Sequence, residues 1–171
     1  ASWMRVFEKC KEYGLNHVRF HSWCPPEAAF VAADKVGMYL QPDGPSWPNH
    51  GVRMRSGQAV DRYLMEETKR IIDTYGHHPS FVMFAMGNEP AGRWVEYCND
   101  WVREMMAYDS TRVYCGASVG GGWAWDNGSQ FHVKGGGRGL EWSSRAPQSV
   151  DDYYTSLVFP RNYYDTVPNN S

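Results

Sequence analysis

The sequence lacks any run of about 18 apolar residues, so no membrane-spanning helix is expected. It also lacks an excess of either charge. Its 17 Lys and Arg stand against 19 Asp and Glu, a formal net charge of −2 over 171 residues. Such a chain offers no basic field to nucleic acid or to an anionic membrane surface, and neither is an expected partner. Neither G-x-G-x-x-G nor G-x-x-x-x-G-K-[ST] occurs, which removes the common nucleotide-binding loops despite many glycines. No H-E-x-x-H or C-x-x-C spacing occurs either. The adjacent His77 and His78 cannot easily share one metal, and with Pro79 next they are expected in a turn. No metal and no cofactor is therefore expected. Cysteine is sparse: Cys10, Cys24, Cys98 and Cys115 are expected as free thiols.

Aromatic residues, by contrast, are plentiful. They make up 15% of the chain, with 8 Trp and 11 Tyr, although the mean hydropathy is only −0.60. A Trp-rich core accounts for part of this. A sugar site accounts for more, because flat rings stack on the apolar faces of pyranoses. At 42% hydrophobic and 21% charged residues the composition is that of one globular domain. Ala1 opens directly into an amphipathic pattern, as expected of a chain cut from something longer and bearing no signal peptide of its own.

Helical spacing of Trp3, Val6, Phe7, Cys10 and Tyr13, closed by Gly14, predicts a first helix. His17 to His21 reads as a strand. Pro25-Pro26-Glu27 opens a second helix through Phe30, Val31 and Ala33 to Gly37. Met38 to Gln41 is a second strand ended by Pro42, and a proline- and glycine-rich loop follows to Gly57. Val60, Leu64, Ile71, Ile72 and Tyr75 predict a third helix, with Glu66 and Arg70 as an i,i+4 pair. Phe81 to Met86 is a continuous apolar run, as expected of a strand buried on both faces. Trp94, Cys98, Trp101, Val102 and Met105 mark a fourth helix, and Val113 to Ala117 a fourth strand. Strict helix–strand alternation predicts an α/β fold with a parallel sheet. The glycine-rich stretch from 116 to 139 reads as irregular loop.

In such folds the carboxyl ends of the strands form the active face. Asn88-Glu89-Pro90 stands directly after the most apolar strand, where Gly87 lets the chain turn. A carboxyl half set in an apolar wall favours its protonated form, which a general acid needs. The competing reading is that Glu89 only caps the fourth helix. Arg19, His21 and Ser22 end the first strand and Asp43 follows the second, with Trp47 in its loop. Ser118, Trp123 and Trp125 follow the fourth. Together they outline a cleft for a polyhydroxylated ligand.

Five segments, in order, carry a family resemblance over residues 1 to about 118. Gly14-Leu15-Asn16-His17-Val18-Arg19 resembles the G-x-N-x-[VI]-R entry to the second barrel strand of glycoside hydrolase family 2. Ala33-Asp34-Lys35-Val36-Gly37-Met38-Tyr39 is similar to the C-D-x-x-G-[IL]-x segment before its third strand. His78-Pro79-Ser80-Phe81-Val82 and Gly87-Asn88-Glu89-Pro90 resemble its N-H-P-S-[VI] and [GA]-N-E-[PS] segments. Asp109-Ser110-Thr111-Arg112 is similar to its D-P-T-R. Two places depart from the pattern: Arg19-Phe20-His21-Ser22 replaces R-x-S-H, and Gln41-Pro42-Asp43 replaces a strand ending in Asp-Glu.

The resemblance implies an incomplete TIM (β/α)8 barrel, from its first helix to about its fifth strand plus long loops, with residues 1–171 as part of a glycosidase catalytic domain. It implies retaining β-glycoside hydrolysis by double displacement, with Glu89 as acid/base, Asn88 on the sugar 2-hydroxyl and Arg19 as support. His21, Asp43, Trp47 and Trp123 are the other expected substrate-binding residues. The nucleophile, a Glu, is expected beyond residue 171, so the fragment alone is expected to be inactive. The expected partners are an oligosaccharide or polysaccharide and the rest of a parent chain. Open strand edges are expected to make the fragment self-associate. A periplasmic or secreted location is implied as well. The alternatives are a non-catalytic carbohydrate-binding barrel and, more remotely, a flavodoxin-like binding domain.

Overall fold

The computed structural model describes residues 2–47, 53–117 and 129–131. The elements alternate as the pattern predicts: α1 (Ser2–Glu12), β1 (His17–Phe20), α2 (Glu27–Val36), β2 (Tyr39–Pro42), α3 (Val60–Tyr75), β3 (Met83–Gly87), α4 (Trp94–Tyr108) and β4 (Val113–Ala117). β1 pairs with β2 and β3 with β4, both in parallel. Isolated parallel bridges from Leu40 to Phe81 and from Asp43 to Ala85 join the two pairs. The strands thus stand side by side in chain order. Residues 129–131 lie along β4, with Gln130 N–H donating to the Tyr114 carbonyl at 2.8 Å.

The helix faces follow the apolar spacing, with instructive exceptions. On α4, Trp94, Cys98, Trp101, Val102 and Met105 are all buried. Trp101 packs edge-on against Phe84 and Tyr114, and its indole N–H donates to Thr68 Oγ1 at 3.0 Å. A buried indole needs such a partner, and α3 supplies it. On α1 only Phe7 is buried; Val6 is exposed, and so is Tyr13 just past the end of the helix. Val31 of α2 is exposed too. Spacing identifies an apolar face, but neighbours decide whether it is covered.

Other details also differ from the sequence reading. Pro42 does not end β2 from outside; it is the last, buried residue of the strand, opposite Phe20. Phe81 precedes β3 and touches β2 through the single bridge to Leu40. Glu66 pairs backwards with Arg62 at 3.8 Å, and Arg70 pairs with Glu67 at 2.9 Å. The four cysteines are thiols in no disulfide.

The ends of the strands away from the candidate site are tied by polar knots. His78 lies in the turn after α3 and donates from Nδ1 to Asp34 Oδ2 at 2.6 Å. Ser80 N–H donates to Asp34 Oδ1 at 2.9 Å. Arg112 is buried over the Phe81 ring, donates to the Gly76 carbonyl and pairs with Asp109. These knots absorb three of the segments singled out above: Ala33–Tyr39, His78–Val82 and Asp109–Arg112.

Burial alone would raise the Asp34 carboxyl, but hydrogen bonds from Ser80 and His78 and the His78 charge outweigh it and hold the carboxyl below its ordinary range. A depressed carboxylate adds stability that is present above its unfolded value and lost as pH falls through its folded value. Stability is therefore expected to decline on acidification below about pH 4. Asp34→Asn should flatten that decline while lowering stability at neutral pH, as urea unfolding at stepped pH would show. An unchanged acid slope would remove Asp34 from the account.

Candidate active site

The residues that end β1, β2 and β3 converge. Arg19, on β1, is the centre. Its guanidinium donates to Asp43 from Nε to Oδ1 at 3.3 Å and from Nη2 to Oδ2 at 2.6 Å. The same Nη2 donates to Asn88 Oδ1 at 2.6 Å. The planar fork suits this double contact. Asp43 is wholly buried and accepts further bonds from Ser22 N–H at 3.1 Å and Gln41 Nε2 at 3.5 Å. One guanidinium thus clamps the three strand ends and orients the Asn88 amide.

The loop after β2 then crosses the end of β3. Gly44 N–H donates to the Ala85 carbonyl at 2.8 Å, and Asn88 N–H donates to the Ser46 carbonyl at 2.9 Å. The fit depends on glycine. A Cβ on Gly44 would stand 2.2 Å from the Met86 carbonyl oxygen, and one on Gly87 would stand 2.9 Å from the Ser46 Cβ. Both distances are below contact, so any side chain would push the loop off the strand. Held there, the loop delivers Trp47, whose indole N–H donates to Glu89 Oε2 at 3.0 Å. The His21 ring meets the Trp47 ring edge-on with centroids 4.8 Å apart, and His21 Nδ1 lies 2.9 Å from Ser22 Oγ.

Two backbone positions at the site are unusual. Ser22 has φ of 60° and Glu89 has φ of 42°, in the left-handed region that β-carbon sterics disfavour. Such strain persists only where surrounding contacts hold it, and here Ser22 N–H bonds Asp43 and Glu89 accepts from Trp47. Glu89 is half-buried, and the indole N–H of Trp47 adds a hydrogen-bond donor beside it.

Six of the seven residues singled out from sequence, Arg19, His21, Asp43, Trp47, Asn88 and Glu89, thus meet in one place; Trp123 lies outside the described residues. The sequence reading missed two supporting groups. Gln41 could have been found, since it lies two residues from Asp43 and so on the same strand face. Ser46, buried against Gly87, carries no local signal. Burial, with the Glu67 charge, pushes the Cys24 thiol up to about 12. No group of three or more His, Cys, Asp or Glu side chains suited to a metal occurs among the described residues. Nor is any helix among them long and apolar enough to cross a membrane.

No protein-family model and no curated protein matches this sequence. Solved structures do. A β-glucuronidase from an uncultured Clostridium sp. matches with TM-score 0.65 at 16% identity, over 93% of this chain and 30% of its own. A glycosyl hydrolase family 2 member from Bacteroides cellulosilyticus matches with TM-score 0.55 at 25% identity, over 67% of this chain and 16% of its own. Bacteroides uniformis β-glucuronidase 2, covalently bound to cyclophellitol-6-carboxylate aziridine, matches with TM-score 0.57 at 20% identity, over 66% and 15%. The chain therefore spans less than a third of the length of these proteins. The resemblance drawn from the five segments holds at the level of fold: the chain is a partial domain like those of glycoside hydrolase family 2.

Proposed function

We propose that this chain is part of a (β/α)8 barrel that hydrolyses β-glycosides with retention, and that Glu89 is its acid/base. The observation that carries the reading is the clamp of Arg19 on Asp43 and Asn88 beside Glu89, at the carboxyl ends of three parallel strands. Barrel enzymes build their sites at that face. The strand order supports a barrel over a doubly wound sheet, because β1 to β4 stand in chain order with no reversal among the described residues. Asn88, its amide oriented by Arg19, is proposed to bond a sugar hydroxyl. His21 and Trp47 form one aromatic wall, and Trp123 is proposed to add another.

In the first step Glu89 gives its proton to the glycosidic oxygen as the bond to the anomeric carbon breaks and a second carboxylate bonds that carbon. In the second, Glu89 takes a proton from water, which attacks the same carbon and releases the carboxylate. The two carboxyls must stand roughly 5–5.5 Å apart. Asp43 cannot be the second, since it is fully buried and held by Arg19. The nucleophile is proposed to be a Glu beyond residue 171.

The structural neighbours that are β-glucuronidases make a cyclophellitol-6-carboxylate aziridine the first probe. Treating the complete protein should attach the probe to one Glu beyond residue 171, found by peptide mass spectrometry. If glucuronides are not the substrates, 2-fluoro glycosides of other sugars should trap the same residue. Label on Glu141 would overturn the assignment of the nucleophile. Tight binding of sugars with no label and no turnover would favour a carbohydrate-binding barrel.

A further inference from the structure

We propose that Trp47 is a positioning residue that dictates which oxygen of Glu89 carries the catalytic proton. The inference rests on Glu89 being the acid/base. An indole N–H can only donate. Its bond to Glu89 Oε2, at 3.0 Å, therefore needs a lone pair on that oxygen, and a proton placed on the same side would face the N–H. While the bond is held, the proton of the acid form resides on Oε1. Oε1 then delivers that proton to the leaving oxygen and later recovers one from water, and Oε2 remains an acceptor throughout.

The geometry around Trp47 is built to hold this bond. The loop before it is fixed to β3 by Gly44 N–H to the Ala85 carbonyl and by Asn88 N–H to the Ser46 carbonyl. Gly44 and Gly87 allow a backbone approach that no side chain would permit. On its other side the indole meets the edge of His21, which Ser22 Oγ holds at 2.9 Å. Glu89 itself is pinned at φ of 42°. Donor and acceptor thus both arrive on constrained backbone, so the carboxyl plane is set before any substrate enters. Orientation of this kind matters because a misplacement of about 1 Å can cost on the order of 10²-fold in rate.

The test uses the complete protein and a series of aryl β-glycosides from 2,4-dinitrophenyl to phenyl, glucuronides first. Trp47→Phe keeps an aromatic ring beside His21 and removes the N–H together with part of the indole's bulk. Its kcat on phenyl glycosides should fall about 10- to 100-fold, with KM within about twofold and little change on dinitrophenyl glycosides. A uniform loss across leaving groups, or a change in KM alone, would make Trp47 a plain substrate-binding or structural residue and overturn the proposal. Glu89→Gln, measured alongside, separates the two readings. Should it leave phenyl glycoside turnover intact, the acid/base assignment itself fails. Should it abolish that turnover while Trp47→Phe matches wild type, only the positioning role fails. A second readout does not depend on the Trp47 variant folding. In protein labelled with 15N-tryptophan, Glu89→Gln should move one indole N–H resonance and leave the others in place; no movement would overturn the proposal.

Discussion

Glu89→Gln in the complete protein is expected to lower kcat on glycosides with poor leaving groups by about 10²- to 10⁴-fold, the range of a positioned general acid. The amide keeps the size and an acceptor oxygen for the Trp47 N–H, so the fold and the bond at Oε2 should survive. What is lost is the transferable proton. Activated aryl glycosides need no acid to depart, so their first step should be nearly untouched and the glycosyl-enzyme should accumulate, because the base for water is missing as well. A burst of released phenol followed by slow turnover is the expected trace. An external anion such as azide should speed that turnover by attacking without a base. Undiminished hydrolysis of phenyl glycosides would refute the role given to Glu89.

The second large effect concerns Arg19. Asp43 has no exposed surface, and Arg19 supplies its charged partner. Removing one member of a buried pair strands the other, at a cost of about 3 kcal/mol or more. Arg19→Ala should therefore destabilise the domain by that order, even with Ser22 N–H and Gln41 still bonding Asp43. Activity should fall further than stability explains, since Asn88 loses the donor that orients its amide. Asp43→Asn keeps most of the hydrogen bonds and leaves Arg19 a partly exposed charge, so it should cost less. In the double variant the penalties should be less than additive, because the groups interact directly. Chemical denaturation of the four proteins provides the comparison. Equal midpoints for Arg19→Ala and wild type would mean the clamp holds nothing together.

Much of this architecture was legible in the chain itself. Apolar periodicity located the helices, because burial on one face leaves that period in the sequence, and a continuous apolar run located β3, which is buried on both faces. The site was legible for a related reason: polar residues directly after apolar strands have no core to join. That rule picked out Asp43 and Asn88-Glu89, and Arg19 was picked out as a polar residue at the end of the first strand, without any view of their contacts. Pro79, ahead of the next strand, separately marked His77 and His78 as a turn, and they lie in the connection between α3 and β3.

What the chain could not disclose is who meets whom across it. Val6, Tyr13 and Val31 carry the right spacing and stay exposed, since a period marks a face but not its cover. Glu66 turned to Arg62 and not to Arg70, a choice between neighbours of nearly equal worth on a solvated helix. Pro42 closes β2 from inside the strand, and the next donor along, Asp43 N–H, bonds the Phe20 carbonyl at 3.2 Å. Most of all, the union of Arg19, Asp43 and Asn88 joins residues 24 and 69 positions apart. Composition, periodicity and turn chemistry are local and determined the order and type of the elements. Only the parallel alignment of three strand ends decided that one guanidinium could serve both carboxylate and amide. It also decided that the indole of Trp47 would rest on Glu89, because a buried charge or a fixed backbone must take its partners from whatever the tertiary fold brings within reach.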